Sequence, residues 1–116
     1  MVVDDSLTVR QMIGLSLRPA GYEVIEACDG NEALKQLATH KIHMLITDLN
    51  MPNLDGFGLV KEVRRDQGNR FMPIIMLSTE SDDKKKKEGK GVGVSGWITK
   101  PFRPEQLLGV VKMLLK

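Results

Sequence analysis

The chain has one cysteine, Cys28. A single thiol excludes an internal disulfide and any zinc site built on cysteines, and it fits a reducing cytosol. Its side chain is expected to be buried packing. Aromatic residues make up only 4%, and Trp97 is the sole tryptophan. No apolar run approaches the ~20 residues of a membrane span. Met1 leads into Val2-Val3-Asp4-Asp5, not into a basic and then apolar leader. Neither sign of charge dominates: 17 Lys+Arg stand against 15 Asp+Glu, for a net charge of +2. That excess is too small to imply nucleic acid by itself. The run Lys84 to Lys87 reads as a solvated helix face before it reads as a nucleic-acid patch.

What is present suits one folded domain over residues 1–116. The chain is 41% hydrophobic, enough for one packed core, and 28% charged, as folded rather than disordered chains are. The seven methionines are expected to fill that core.

Periodicity predicts alternating strands and helices. Met1-Val2-Val3 is a short first strand. Ser6 caps a helix carrying Val9, Met12, Ile13 and Leu17, which Pro19 and Gly21 stop. Tyr22 to Ile25 is a second strand, Asp29-Gly30 a turn, and Ala33, Leu34, Leu37 and Ala38 a helix face. Ile42 to Thr47 is a third strand ending at Asp48, and Leu59, Val60 and Val63 mark a third helix. Pro73 to Leu77 is a fourth strand, apolar throughout as strands buried on both faces are. Asp82 to Gly93 is a helix by position, poorly formed because of Gly89, Gly91 and Gly93 and its crowded lysines. Trp97-Ile98-Thr99 is a fifth strand, and a last helix starts at Pro104 with a stripe of Leu107, Leu108, Val111, Leu114 and Leu115. Such alternation implies a parallel α/β sheet with helices on both faces.

Every strand but the second ends on a group able to do chemistry: Asp4 and Asp5, Asp48, Ser78 and Thr79, and Lys100. A parallel sheet places all of these on one edge, where open α/β sheets bind their ligands. A lone Asp after a strand more often caps a turn than does chemistry; the company of the others changes that reading. If the first and third strands are neighbours, three carboxylates converge, and like charges so close do not all ionise comfortably. A hard divalent cation such as Mg²⁺ relieves the repulsion. His40 and His43 lie at the far end of the third strand from Asp48 and read as a helix end and a strand edge.

The set Val3-Asp4-Asp5-Ser6, Asp48-Leu49-Asn50-Met51-Pro52, Leu77-Ser78-Thr79 and Lys100-Pro101-Phe102 resembles the receiver domain of two-component response regulators. It is most similar to the single-domain chemotaxis regulators, and the resemblance spans essentially the whole chain. It implies the flavodoxin-like doubly wound sheet, five strands in the order 2-1-3-4-5. It implies that Asp48 is a phosphoacceptor taking its phosphoryl group from a phosphohistidine on a sensor histidine kinase. Asp5 and Asp48, with the backbone carbonyl of Asn50, would bind Mg²⁺ directly, and Asp4 would hold a metal-bound water. Lys100 and Ser78 would contact phosphoryl oxygens, and Trp97 stands at the aromatic switch position, where the family mostly has Tyr or Phe. Asn50 and Glu80 stand at the positions that tune phosphoryl lifetime. The implied protein is a cytoplasmic switch, not an enzyme, with no direct nucleic-acid or membrane binding. An output partner, such as a flagellar motor switch protein, would read the face of the fourth helix, fifth strand and last helix.

Two other readings stand beside it. A phosphatase with an Asp nucleophile and Mg²⁺ wants a second Asp two positions on, where this chain has Asn50. A receiver cut from a longer DNA-binding regulator would continue past Lys116.

Overall fold

The computed structural model describes residues 1–80 and 82–115. Its strands are β1 (Val2–Val3), β2 (Glu26–Ala27), β3 (Leu45–Asp48), β4 (Ile74–Ser78) and β5 (Gly96–Thr99). Its helices are α1 (Leu7–Leu17), α2 (Gly30–Leu37), α3 (Gly56–Arg65), α4 (Asp83–Val92) and α5 (Pro104–Leu114). The strands form a single sheet in the order β2-β1-β3-β4-β5, and each neighbouring pair is parallel. This is the doubly wound, flavodoxin-like arrangement expected, with the strand order reversing beside β1.

Alternation along the strands sorts the core into two layers. Val3, Leu45, Ile74 and Met76 pack with Ala33, Leu59, Val60 and Val63 of α2 and α3. Val2, Ile46, Ile75 and Leu77 pack with Ile13 and Leu17 of α1 and Leu107 and Val111 of α5. Each fully buried Leu, Ile or Val contributes about 1.5–3 kcal/mol, so both faces of the sheet are committed. The helix starts are fixed by side-chain caps: Ser6 accepts from the Val9 amide, Asp29 from Glu32, Asp55 from Gly58 and Asp82 from Lys85. Pro104 opens α5 at its first turn instead.

Several local expectations shift. The second strand is Glu26–Ala27, not Tyr22 to Ile25, and the third begins at Leu45, not Ile42. Both flank β1, whose register pairs Val2 with Glu26 and Ile46. Residues 22–25 and 41–44 lie outside that register, though the Ile25 and Met44 carbonyls still accept from Val2 and Met1. The fourth strand runs one residue later than expected, Ile74–Ser78. Asp29-Gly30 is not a free turn but the N-cap and first residue of α2. Met12 is exposed, because Ile13 and Leu17 set the buried stripe of α1 and Met12 falls beside it. Met113 is likewise exposed, while Met1, Met44, Met72 and Met76 are core.

Cys28 is exposed, contrary to the buried packing expected. It lies just past the end of β2, where Ala27 takes the buried position, and its thiol hydrogen-bonds the Glu32 carboxylate at 3.1 Å. That bond and the nearby carboxylate charge raise the thiol pKa, which makes the thiol a poor nucleophile.

Helix α4 is better formed than its composition suggests. Asp82 caps it, and Gly93, at φ 109°, closes it with bonds to the carbonyls of Gly89 and Lys90. Its only buried residue is Gly89, however. Amide exchange is therefore expected to be fastest, among the helices, between residues 82 and 95. Protection there as strong as over Leu107–Val111 would refute this.

Candidate phosphoacceptor site

β1 and β3 are neighbours, so their C-terminal ends bring Asp4, Asp5 and Asp48 together. One carboxylate oxygen from each lies within 4.8 Å of the others. Asp4 is 1% exposed and Asp48 7%, while Asp5 faces solvent. The Asp4 carboxylate accepts from the Ser6 amide at 2.9 Å, and its backbone carbonyl accepts from the Arg10 guanidinium at 2.6 Å. Arg10, tied also to Glu26, thus fixes the turn after β1. No motif pointed to it; only its place one turn into α1 brings it there.

Lys100 follows β5 across a cis peptide bond to Pro101 on its far side. Its backbone amide donates to the Ser78 carbonyl at 2.7 Å. Its ammonium donates to Asp4 at 2.9 Å and to Asp48 at 3.1 Å. Burial pushes the Asp48 carboxyl above the usual carboxylate range, and the charge of Asp4 adds to it; Lys100 opposes both without cancelling them. Burial alone would lower the Lys100 ammonium, but the hydrogen bond and charge of Asp4, then those of Asp48, carry it above its ordinary value. Three carboxylates and one ammonium leave a formal −2. The donor set is oxygen alone, with an open side at Asp5, and suits a hard divalent cation such as Mg²⁺.

Ser78 ends β4, buried, and its hydroxyl accepts from the Glu80 amide at 2.9 Å. Asn50 is exposed in the loop after β3, and Thr79 is exposed after β4. Trp97 lies on β5 with its indole N–H donating to the Glu80 carbonyl at 3.0 Å. Its ring packs against Phe57 at 6.2 Å between centroids. A Cβ on Gly89 would come within 2.9 Å of that ring. The glycine in α4 is thus the space that an indole needs at this position.

Gly56 carries a second close approach. A Cβ there would stand 2.5 Å from the Asp48 carbonyl oxygen and 2.9 Å from the Leu49 Cα. Backbone cannot swing aside as a side-chain end can, so Gly56→Ala is expected to cost about 1–3 kcal/mol. Urea melts check this; an unchanged midpoint would mean that α3 can retreat from the end of β3.

Comparison with known proteins agrees with this geometry. Residues 1–112 match the response regulator receiver domain family. The chain is 42% identical over 117 aligned positions to the chemotaxis protein CheY1 of Helicobacter pylori, covering 99% of this chain and 94% of that protein. The crystal structure of the chemotaxis response regulator CheY4 of Vibrio cholerae superposes with a TM-score of 0.94 at 47% identity, covering 98% of this chain and 95% of that one. The probable transcriptional regulator ycf27 of Cyanidium caldarium is 37% identical over all of this chain, which spans only 45% of that protein. The chain thus spans about half the length of several curated relatives that it matches. With the fold, the acidic edge and the match over residues 1–112 in agreement, the chain belongs to the response regulator receiver domain family, the signalling module of two-component systems.

Proposed function

We propose that Asp48 accepts a phosphoryl group from a phosphohistidine of a sensor histidine kinase, in chemotaxis-type signalling in the cytoplasm. The observation that carries this is the carboxylate cluster closed by Lys100, 3.1 Å from Asp48. Receiver domains bind Mg²⁺ at an acidic pocket and work with histidine kinases and downstream effectors. Here Asp5, Asp48 and the Asn50 carbonyl would hold the ion, with Asp4 behind a bound water. The ion supplies neutralisation of charge on the phosphoryl group during transfer.

The chain's own groups do the rest. An Asp48 oxygen attacks phosphorus as the N–P bond breaks, and the imidazole nitrogen leaves with the bonding pair. Asp4 keeps Lys100 beside Asp48 until its ammonium can bind a phosphoryl oxygen. Ser78 exchanges its bond to the Glu80 amide for one donated to another phosphoryl oxygen. That draws on the loop through Glu80, whose carbonyl holds the Trp97 indole. The site is thereby coupled to β5, and an output partner, a flagellar motor switch protein in the chemotaxis reading, reads α4, β5 and α5. The higher identity to full-length chemotaxis regulators favours this over the receiver half of a transcriptional regulator. Residues 1–116 act as one receiver unit in either case.

Mg²⁺ and acetyl phosphate should label the protein and further change its tryptophan fluorescence beyond the effect of Mg²⁺ alone. Asp48→Asn should show neither response. Labelling that persists in Asp48→Asn refutes the acceptor. Labelling of the parent with no further fluorescence change refutes the Trp97 coupling alone.

A further inference from the structure

The acidic edge holds two of its aspartates by their side chains and the third by its backbone. The Asp4 carboxylate accepts from the Ser6 amide and from Lys100, and the Asp48 carboxylate accepts from Lys100 as well. The Asp5 carboxylate, exposed, has no partner among the described residues. Where it points is therefore set by the two peptide planes that meet at the Asp5 Cα. The plane that follows is held through the Ser6 N–H, which donates to Asp4 Oδ1 at 2.9 Å. The plane that precedes is held through the Asp4 carbonyl, which accepts from the Arg10 guanidinium at 2.6 Å.

Side chains on a helix lean toward its N-terminus. Arg10, one turn into α1, thus reaches back to the end of β1, and its side chain is only 14% exposed. Its Nε donates to Glu26 Oε1 on β2 at 3.3 Å. Arg18 pairs with the other Glu26 oxygen from the solvent side, also at 3.3 Å. Charge does not explain why a cation stands at Arg10. Near a helix N-terminus it opposes the macrodipole. Beside three carboxylates it repels the divalent ion that they suit. The bond to the Asp4 carbonyl does explain it, because the fork of a guanidinium holds the ends of β1 and β2 together.

We infer that Arg10 is a positioning residue for Mg²⁺ binding, holding the Asp4–Asp5 peptide so that the Asp5 carboxylate stands ready for the ion. Glu26 offsets the charge that Arg10 brings. The inference rests on the metal role proposed for Asp5. Positioning and charge predict opposite signs for the loss of Arg10. Without its bond the Asp5 carboxylate is misplaced and Mg²⁺ binds more weakly. Without its charge alone, Mg²⁺ would bind more tightly.

The test is a Mg²⁺ titration of the full chain at pH 7, followed by amide NMR. Arg10→Met keeps the unbranched stem without donor or charge, and is expected to bind Mg²⁺ about 10–100-fold more weakly, as when other outer partners of metal ligands are lost. Unchanged or tighter binding overturns the inference. Arg18→Met removes the other arginine on Glu26 and is expected to leave the affinity within about twofold of the parent. A loss there equal to that of Arg10→Met assigns the effect to the Glu26 pairing and overturns the special role of Arg10. Labelling by acetyl phosphate separates positioning from general damage. In Arg10→Met the Mg²⁺ needed for half the maximal rate should rise by the same factor, with the maximal rate within about threefold of the parent. A maximal rate that stays depressed at saturating Mg²⁺ overturns the positioning role. Should Arg10→Met not fold, Arg10→Lys carries the test: it keeps the charge but loses the fork and some reach. Weaker Mg²⁺ binding supports positioning, and unchanged binding overturns it. A parent that neither binds Mg²⁺ nor takes label fails the proposed function itself. A parent that does both, with Arg10→Met equal to it, fails this inference alone.

Discussion

Asp5→Ala is expected to slow Mg²⁺-dependent phosphorylation from acetyl phosphate by about 10²–10³-fold, the scale of losing one group dedicated to transition-state charge. The reason lies in how the three carboxylates are already engaged. Asp4 is buried, accepts from the Ser6 amide and is paired with Lys100. Asp48 is the proposed acceptor and is paired with Lys100 as well. Asp5 alone faces solvent with its carboxylate uncommitted among the described residues, so it is the group free to bring a cation in. Neither neighbour can replace it without giving up Lys100. Because Asp5 is exposed, its loss should move stability by no more than about 0.5 kcal/mol. Rates of labelling at fixed Mg²⁺, with melts alongside, separate the two effects. A variant labelled at the parent's rate would remove Asp5 from the metal site.

Asp48→Asn is expected to raise stability by about 0.5–2 kcal/mol while abolishing phosphoryl acceptance. Burial and the charge of Asp4 raise the folded-state pKa of Asp48 above the unfolded value. A raised carboxyl pKa favours the folded state below the unfolded value, near 3.8, where the group is protonated in both states. That advantage is lost as pH rises through the folded pKa, so at neutral pH the ionised carboxylate is a net cost. Asparagine keeps the shape without the charge, and Lys100 retains Asp4 at 2.9 Å. The gain should therefore be present at pH 7 without Mg²⁺ and shrink as pH falls toward 4. For a domain of this size it amounts to a few degrees in Tm. Thermal melts in EDTA from pH 4 to 8 check the sign. A variant that melts below the parent at pH 7 would mean that the Lys100 pairing outweighs burial and repulsion.

The acidic edge was legible because its residues stand at strand ends, and in a parallel sheet chain position dictates the edge. Asp4, Asp5, Asp48, Ser78 and Lys100 needed only the strand order to be brought together. The positions that went astray depend on neighbours distant in sequence. Tyr22 to Ile25 has strand composition, yet a strand exists only where another pairs with it, and β1 does not reach that far. Cys28 has the composition of a core residue but lies one position past the last buried residue of β2.

The sequence by itself determined the fold class, the Ser6 cap of the first helix and the carboxylates at the strand ends. Each of these follows from local periodicity, or from a residue's offset from the end of its own element. Only the tertiary structure decided that Arg10 braces Asp4, that Gly89 makes room for the Trp97 indole, and that Gly56 lies against the backbone carrying Asp48. These are contacts between segments whose separation along the chain carries no signal, and close packing in three dimensions alone sets which atoms meet.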